Sequence, residues 1–188
     1  MRRLLMAGAM VLGCAAYAGA QDQACPMEMM KDPKLTLGEM FTKSEAKARA
    51  WKPDVVVASI TNTSMGPLDE AGKSEAWNLM FWSPSANQQV NISTFRGMFN
   101  CYAMPGAAGR LPSLKPGFFT DGAKLYAIAR QQGGQYISQG YFIMIGTAVA
   151  PSDRHTTWNI TYSNKDSKSA PLLVLVDAQT GAFEKAIK

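Results

Sequence analysis

The feature that most constrains this chain is a pattern of residues that occurs twice at a nearly constant spacing. The segments 74–84 and 155–165 share a Trp-Asn pair within an alternating run and lie 81 residues apart. Two further pairs of segments match in the same order: 43–49 with 124–130, again 81 residues apart, and 89–99 with 173–183, 84 residues apart. Three matched blocks in one order predict that the chain contains a duplicated structural unit.

Each unit is predicted to be a helix followed by antiparallel strands. Thr36 and Glu39 have the spacing of a capping box, and the helix that they begin should stop ahead of Pro53. In the second unit Thr120 is the predicted cap, and Gly133 marks the helix end. The predicted strands are 54–64, 75–83, 88–95, 141–149, 156–163 and 171–178. The predicted fold class is therefore α+β, with two tandem repeats, each a helix packed on an antiparallel sheet of about three to four strands.

The repeat also sets the predicted domain boundaries. The stretches are a signal peptide at 1–20, the first unit at 21–102, a Pro/Gly-rich linker at 103–119 and the second unit at 120–188. Alternate residues of a strand share a face, so Trp77 and Trp158 are predicted to be core residues beneath the two helices.

The N-terminal residues have the layout of an export signal. Arg2 and Arg3 precede an uncharged apolar stretch that ends in small residues, as in a secretory signal peptide. The sequence around Cys14 also fits a lipobox, so a lipid anchor on Cys14 is the alternative to simple cleavage. No later stretch reaches the roughly 20 apolar residues that a membrane helix needs. We therefore expect a periplasmic or secreted protein, or else a membrane-anchored lipoprotein.

Cysteine usage and charge narrow the class of protein further. Beyond the leader the chain keeps Cys25 and Cys101, an even number that predicts a disulfide in an oxidising compartment. The formal net charge is only +5, and the basic residues are scattered, which argues against a nucleic-acid partner.

Several motifs resemble those of PepSY and PepSY-like domains, which occur in exported bacterial proteins. These motifs are the Trp-Lys-Pro-Asp helix exit at 51–54, the Gly-Lys-Ser approach to Trp77 at 72–74, and the Val-Asp-Ala-Gln-Thr-Gly turn at 176–181. The resemblance covers most of 36–100 and, more loosely, 120–186. It implies small helix-on-sheet modules in tandem and an extracytoplasmic, inhibitor-like binding role without a defined catalytic set.

The chemistry-bearing residues do not form a pattern typical of an enzyme. The single histidine, His155, has Asp153 nearby, and a small hydrolase or isomerase built on it is the weakest of three hypotheses. Zinc, calcium and phosphate-loop spacings are lacking. We therefore expect no catalysis and no cofactor.

A methionine cluster supports the second hypothesis, a periplasmic copper-binding protein. Met27, Met29 and Met30 lie close together in the sequence, and thioethers are soft ligands that suit Cu(I). Methionine is also a general filler of apolar surfaces, so packing is the competing interpretation.

The first hypothesis is a protein or peptide partner. Met80 and Trp82 are predicted to point away from the helix of their own unit, because they alternate with Trp77 and its neighbours. They either bury each other where the two units meet or form the partner-binding surface, since exposed aromatic patches often mark interaction sites.

Overall fold

The fold is dominated by one antiparallel sheet of nine strands. The structure is a computed structural model and describes residues 22–105, 114–149 and 155–188. Its elements in chain order are β1 (Asp22–Met29), β2 (Leu35–Thr36), α1 (Leu37–Trp51), β3 (Val56–Asn62), β4 (Lys73–Ser74), β5 (Trp77–Ser83), β6 (Gln88–Phe95), β7 (Met98–Pro105), α2 (Gly122–Ser138), β8 (Phe142–Val149), β9 (Thr156–Ser163), β10 (Ser169–Asp177) and β11 (Phe183–Ile187). The order across the large sheet is β1-β7-β6-β5-β3-β8-β9-β10-β11, and β2 pairs separately with β4.

The prediction of two α+β helix-on-sheet repeats is wrong. All six predicted strands are present, but β3 pairs with β8, so strands from both halves of the chain belong to one mostly β structure. Two separate sheets would each leave the first strand of its unit as an edge with unpaired N–H and C=O groups. Pairing these two strands removes both edges. The added strands β1 and β11, which were not predicted, extend the sheet at its two ends.

Helix α1 begins and ends where the sequence indicates. The Glu39 N–H donates to Thr36 Oγ1 at 3.2 Å, and the Thr36 N–H donates to the Glu39 carboxylate at 2.9 Å. This capping box satisfies N–H groups that a helix start leaves without partners. At the other end Lys52 is the cap residue, immediately before Pro53.

Helix α2 differs from the prediction at both ends. Asp121, rather than Thr120, caps it, and the helix continues past Gly133, where the backbone is kinked at φ −131°. A Cβ at Gly133 would lie 2.4 Å from the Tyr162 ring, and the Tyr162 hydroxyl donates to the Ala129 carbonyl at 2.6 Å. Burial raises the pKa of Tyr162 to about 12. The glycine therefore permits close contact with a strand rather than ending the helix.

Both helices pack on the same face of the sheet over a single core. Trp77 and Trp158 are almost fully buried in it, on strands β5 and β9. The Trp77 indole N–H donates to the Leu35 carbonyl at 2.9 Å, and that of Trp158 to the Phe119 carbonyl at 3.0 Å. Each tryptophan thus binds its strand to the segment just ahead of a helix.

The predicted disulfide is confirmed. Cys25 and Cys101 are bonded across the β1–β7 pair, with their Cα atoms 5.3 Å apart and a sequence separation of 76 residues. A loop of this length corresponds to a stabilisation on the order of 4 kcal/mol in the chain-entropy model. The bond therefore holds edge strand β1 onto the sheet.

The predicted leader and part of the predicted linker lie outside the described residues. The signal peptide at 1–20, with Cys14, is among them, as is 106–113. The last linker residues pack on the core, where the Phe118 ring meets the Phe41 ring edge-on at 4.8 Å. Over the described ranges, neither helix is long and apolar enough to cross a membrane.

Candidate binding surface

The face of the large sheet opposite the helices is the principal candidate site, and we call it the open face. No described helix packs on it. It is formed by the outward side chains of six neighbouring strands: Met98, Asn100, Tyr102 and Met104 of β7; Gln89, Asn91, Ser93 and Phe95 of β6; Asn78, Met80 and Trp82 of β5; Val56, Ser59 and Thr61 of β3; Phe142 and Met144 of β8; Asn159, Thr161 and Ser163 of β9.

The outward side chains of these six strands are all uncharged, and the Arg96 guanidinium lies 5.0 Å from the Phe95 ring at one end of the face. Its side chains are amides, hydroxyls, aromatics and thioethers, with aliphatic Val56 at one end. Removing a charge from water is costly, so an uncharged surface loses its hydration more easily when a partner covers it. The cores of protein–protein interfaces show this composition, with charges depleted and Tyr, Trp and Met enriched.

Trp82 lies near the C-terminal end of β5, the third of the six strands of the open face. The strand register places it between Val56 of β3 and Gln89 of β6, and its side chain is partly exposed. The indole N–H itself is shielded from solvent and has no hydrogen-bond partner among the described residues. A shielded donor without an acceptor costs free energy, so this N–H is a polar group that the described residues leave unsatisfied.

Met80 is the neighbouring candidate. It stands between Ser59 of β3 and Asn91 of β6 and is partly exposed. The same row continues through Asn91 to Tyr102 of β7. A flexible thioether next to an aromatic ring and an amide can adapt to different apolar contacts.

The alternative in which Met80 and Trp82 are buried between the two halves does not hold. The halves meet edge to edge through β3 and β8, so the faces of the sheet are not stacked on each other. The open face has the size that a protein partner requires. Six strands about 4.8 Å apart and seven to eight residues long give a surface of about 700 Å², close to the roughly 800 Å² per partner of a standard interface.

The seam between the halves crosses the open face between its fourth and fifth strands, β3 and β8. Its backbone pairing contains one residue pair, Thr61 with Gly146. Side chains supply two further bonds: Asn62 Oδ1 accepts the Ile145 N–H at 2.7 Å, and Thr147 Oγ1 accepts a backbone N–H of β3 at 3.0 Å. Leu68, in the connection after β3, adds an isolated bridge in which its N–H donates to the Ile143 carbonyl at 3.0 Å. The seam therefore combines sparse backbone pairing with two polar side chains.

Two of the predicted copper ligands, Met27 and Met29, lie on β1, and Met30 follows that strand directly. Met27 and Met29 are 56% and 71% exposed on edge strand β1, where Met29 pairs with Met98. Met30 packs against the hydrophobic core. Cys25, the nearest thiol in the sequence, is used in the disulfide.

His155 belongs to a cluster that sequence reasoning missed. Its Nε2 lies 2.7 Å from Glu184 Oε1, and Asp177 is close to both; Asp153, the predicted neighbour, lies outside the described residues. One ligand atom from each of His155, Asp177 and Glu184 lies within 4.8 Å of the others, and we call these three residues the His155 cluster. No local motif indicates it, because the three residues come from the start of β9, the end of β10 and β11.

No protein-family model, curated protein or solved structure matches this chain. The resemblance to PepSY-like domains therefore stays a prediction, and the paired helix-on-sheet fold that it implied is replaced by the single nine-stranded sheet.

Proposed function

We propose that the protein is a non-catalytic, extracytoplasmic binding protein whose open face binds the surface of another folded protein. The observation that carries the proposal is a six-strand surface whose outward side chains are all uncharged, with Arg96 over the Phe95 ring at one end, and on which no described helix packs; Met80 and Trp82 lie on its third strand. An extended peptide uses a sheet edge or a groove. A broad face is better matched by a folded partner.

The chemistry of the face specifies the partner's surface. Apolar side chains on the partner would pack on Met80, Trp82 and Tyr102, and uncharged polar groups would meet the amides around them. A charged partner surface would lose its hydration without gaining an opposite charge. Binding should therefore depend little on salt, in contrast to an electrostatically steered complex.

An extracytoplasmic location is supported by two features. The Cys25–Cys101 disulfide is of the kind that forms and persists in oxidising compartments. The sequence of residues 1–20 has the layout of a secretory signal, with a lipid anchor on Cys14 as the alternative.

The test is site-specific photo-crosslinking in the native envelope. A photoreactive residue at position 80 should capture a partner that the same residue at Lys43, exposed on α1, does not. The captured protein is then purified and titrated against the variants. We expect Trp82→Ala to raise the dissociation constant by at least about tenfold, as for an interface hot spot. Lys43→Ala should leave the dissociation constant unchanged.

A second variant distinguishes loss of binding from loss of folding. Asn91→Arg adds a charge to the exposed side of β6 without removing a core group, so the circular dichroism spectrum should be retained while binding is lost. Crosslinks from position 43 alone, or wild-type affinity in both Trp82→Ala and Asn91→Arg, would contradict the proposal.

A further inference from the structure

We propose that the His155 cluster is a binding site for a divalent transition-metal ion, with Zn²⁺ as the best match. The cluster offers one imidazole nitrogen and two carboxylates, and their ligand atoms lie within 4.8 Å of one another. Zn²⁺ is bound by such N and O ligands, and a site with three protein ligands leaves a fourth position for water. Mg²⁺ and Ca²⁺ prefer all-oxygen sites, so the histidine favours a transition metal.

The Asp177 carboxylate is already held in place. Its Oδ1 accepts hydrogen bonds from the Thr180 N–H at 2.7 Å, the Thr180 hydroxyl at 2.8 Å and the Gln179 N–H at 3.0 Å. These bonds engage one oxygen, so Oδ2 is the atom assigned to the metal. A ligand that is fixed before binding loses less conformational entropy when the ion arrives.

The backbone around the cluster is also ordered. The Ala178 N–H donates to the Thr156 carbonyl at 3.0 Å, and the Asp177 N–H donates to the Ala182 carbonyl at 2.8 Å. A shallow depression of about 230 Å³ borders His155 and Asp177, with Lys115 on its rim. It provides room for an ion and its water molecules beside the ligands.

The position of the cluster gives the metal a structural consequence. Glu184 belongs to β11, an edge strand whose five residues are all exposed and which pairs only with β10 among the described strands. A metal bound by His155, Asp177 and Glu184 would link β11 to both β9 and β10. Because the ion binds the folded state, it should raise stability with increasing concentration.

The proposal is tested by metal titration of the protein, which is purified without a polyhistidine tag. Zn²⁺ binding is measured by calorimetry, and Co²⁺ binding is measured by visible absorption. We expect saturable one-to-one binding that weakens by at least about tenfold in His155→Ala and in Glu184→Gln, since loss of a metal-site residue has effects of this size or larger. Glu70→Gln, an exposed carboxylate outside the cluster, and the Met27→Leu/Met29→Leu pair should bind as wild type.

A second readout follows the structural consequence of binding. Zn²⁺ should slow hydrogen exchange of the β11 amides and raise the melting temperature of wild type but not of His155→Ala. Glu184→Gln keeps the shape of the side chain, so its circular dichroism should match wild type. Absence of saturable binding, or wild-type affinity in His155→Ala, would overturn the site.

Discussion

Asp54 joins two turns of the chain through its two carboxylate oxygens. One accepts the Ser83 hydroxyl at 2.7 Å and the other the Ser85 N–H at 2.8 Å, so the residues after α1 are bound to the turn between β5 and β6. The hydrogen bond from Ser83, followed by those from Ser85, lowers the pKa of Asp54 to about 2. The folded protein therefore holds this group in its charged form more strongly than the unfolded chain does.

The lowered pKa of Asp54 predicts a loss of stability in acid. The stabilisation is present above the ordinary pKa of 3.8 and is lost as the pH falls toward about 2, because the unfolded state then binds the proton more readily. We expect the fall in unfolding free energy between pH 4 and pH 2 to be smaller in Asp54→Asn than in wild type. Urea unfolding at both pH values measures it. Glu70→Gln is the control. If the unfolding free energy of Asp54→Asn falls as much between pH 4 and pH 2 as that of wild type, Asp54 does not contribute to the loss of stability in acid.

At the scale of elements, α2 shows two adjacent glycines in different environments. Gly133 faces the buried Tyr162 ring and has a non-helical φ, whereas Gly134 has nothing within 4 Å of a Cβ built on it. Helix α2 continues through both glycines, although such a pair ordinarily indicates a helix end. The close contact with β9 explains the first glycine, and nothing in the structure explains the second.

The two positions form a matched test of that packing. Gly133→Ala should destabilise the protein by about 1–3 kcal/mol, because the added methyl group overlaps the Tyr162 ring. Gly134→Ala should be neutral or stabilising by about 0.4–1 kcal/mol, since it restricts the unfolded chain without a clash. Urea unfolding measures the change in unfolding free energy of both variants. Equal effects at the two positions would mean that the ring contact does not determine the residue at 133.

At the scale of the whole molecule, the β3–β8 seam converts two halves into one sheet. Asn62 is buried there and uses both ends of its amide: Oδ1 accepts the Ile145 N–H, and Nδ2 donates to the Gly66 carbonyl at 2.9 Å. The open face crosses this seam. Its two halves therefore keep a common surface only while the seam is closed.

Removing the Asn62 amide should weaken the seam selectively. Asn62→Ala leaves the Ile145 N–H without a partner, whereas the Gly66 carbonyl still accepts from the Ser74 hydroxyl, so we expect a loss of about 1–3 kcal/mol in unfolding free energy. Hydrogen exchange should rise in β3 and β8 more than in β10. Asn91→Ala, on the open face, should change stability by less than about 0.5 kcal/mol. Uniform exchange across all strands in Asn62→Ala would show that the seam is no weaker than the rest of the sheet.

Much of the local structure was predictable from the sequence, and the candidate sites were predictable only in part. Met80 and Trp82 alternate with buried neighbours, so their position on the side away from the helices could be inferred from strand periodicity. The His155 cluster could not, because its members are joined by the register of β9, β10 and β11. The extension of α2 past Gly133 was missed because a glycine pair ordinarily indicates a helix end, whereas Gly133 lies against Tyr162 of a distant strand.

The sequence by itself determined the elements whose signals are local: the capping box of α1, the six predicted strands and the even cysteine pair that forms the disulfide. Only the tertiary structure decided that β3 pairs with β8, that β1 and β11 complete the sheet, and that one face stays without a helix. Caps and strand periodicity act between residues a few positions apart, whereas the choice between two sheets and one depends on edge hydrogen bonds and core burial between residues more than 80 positions apart, such as Thr61 and Gly146.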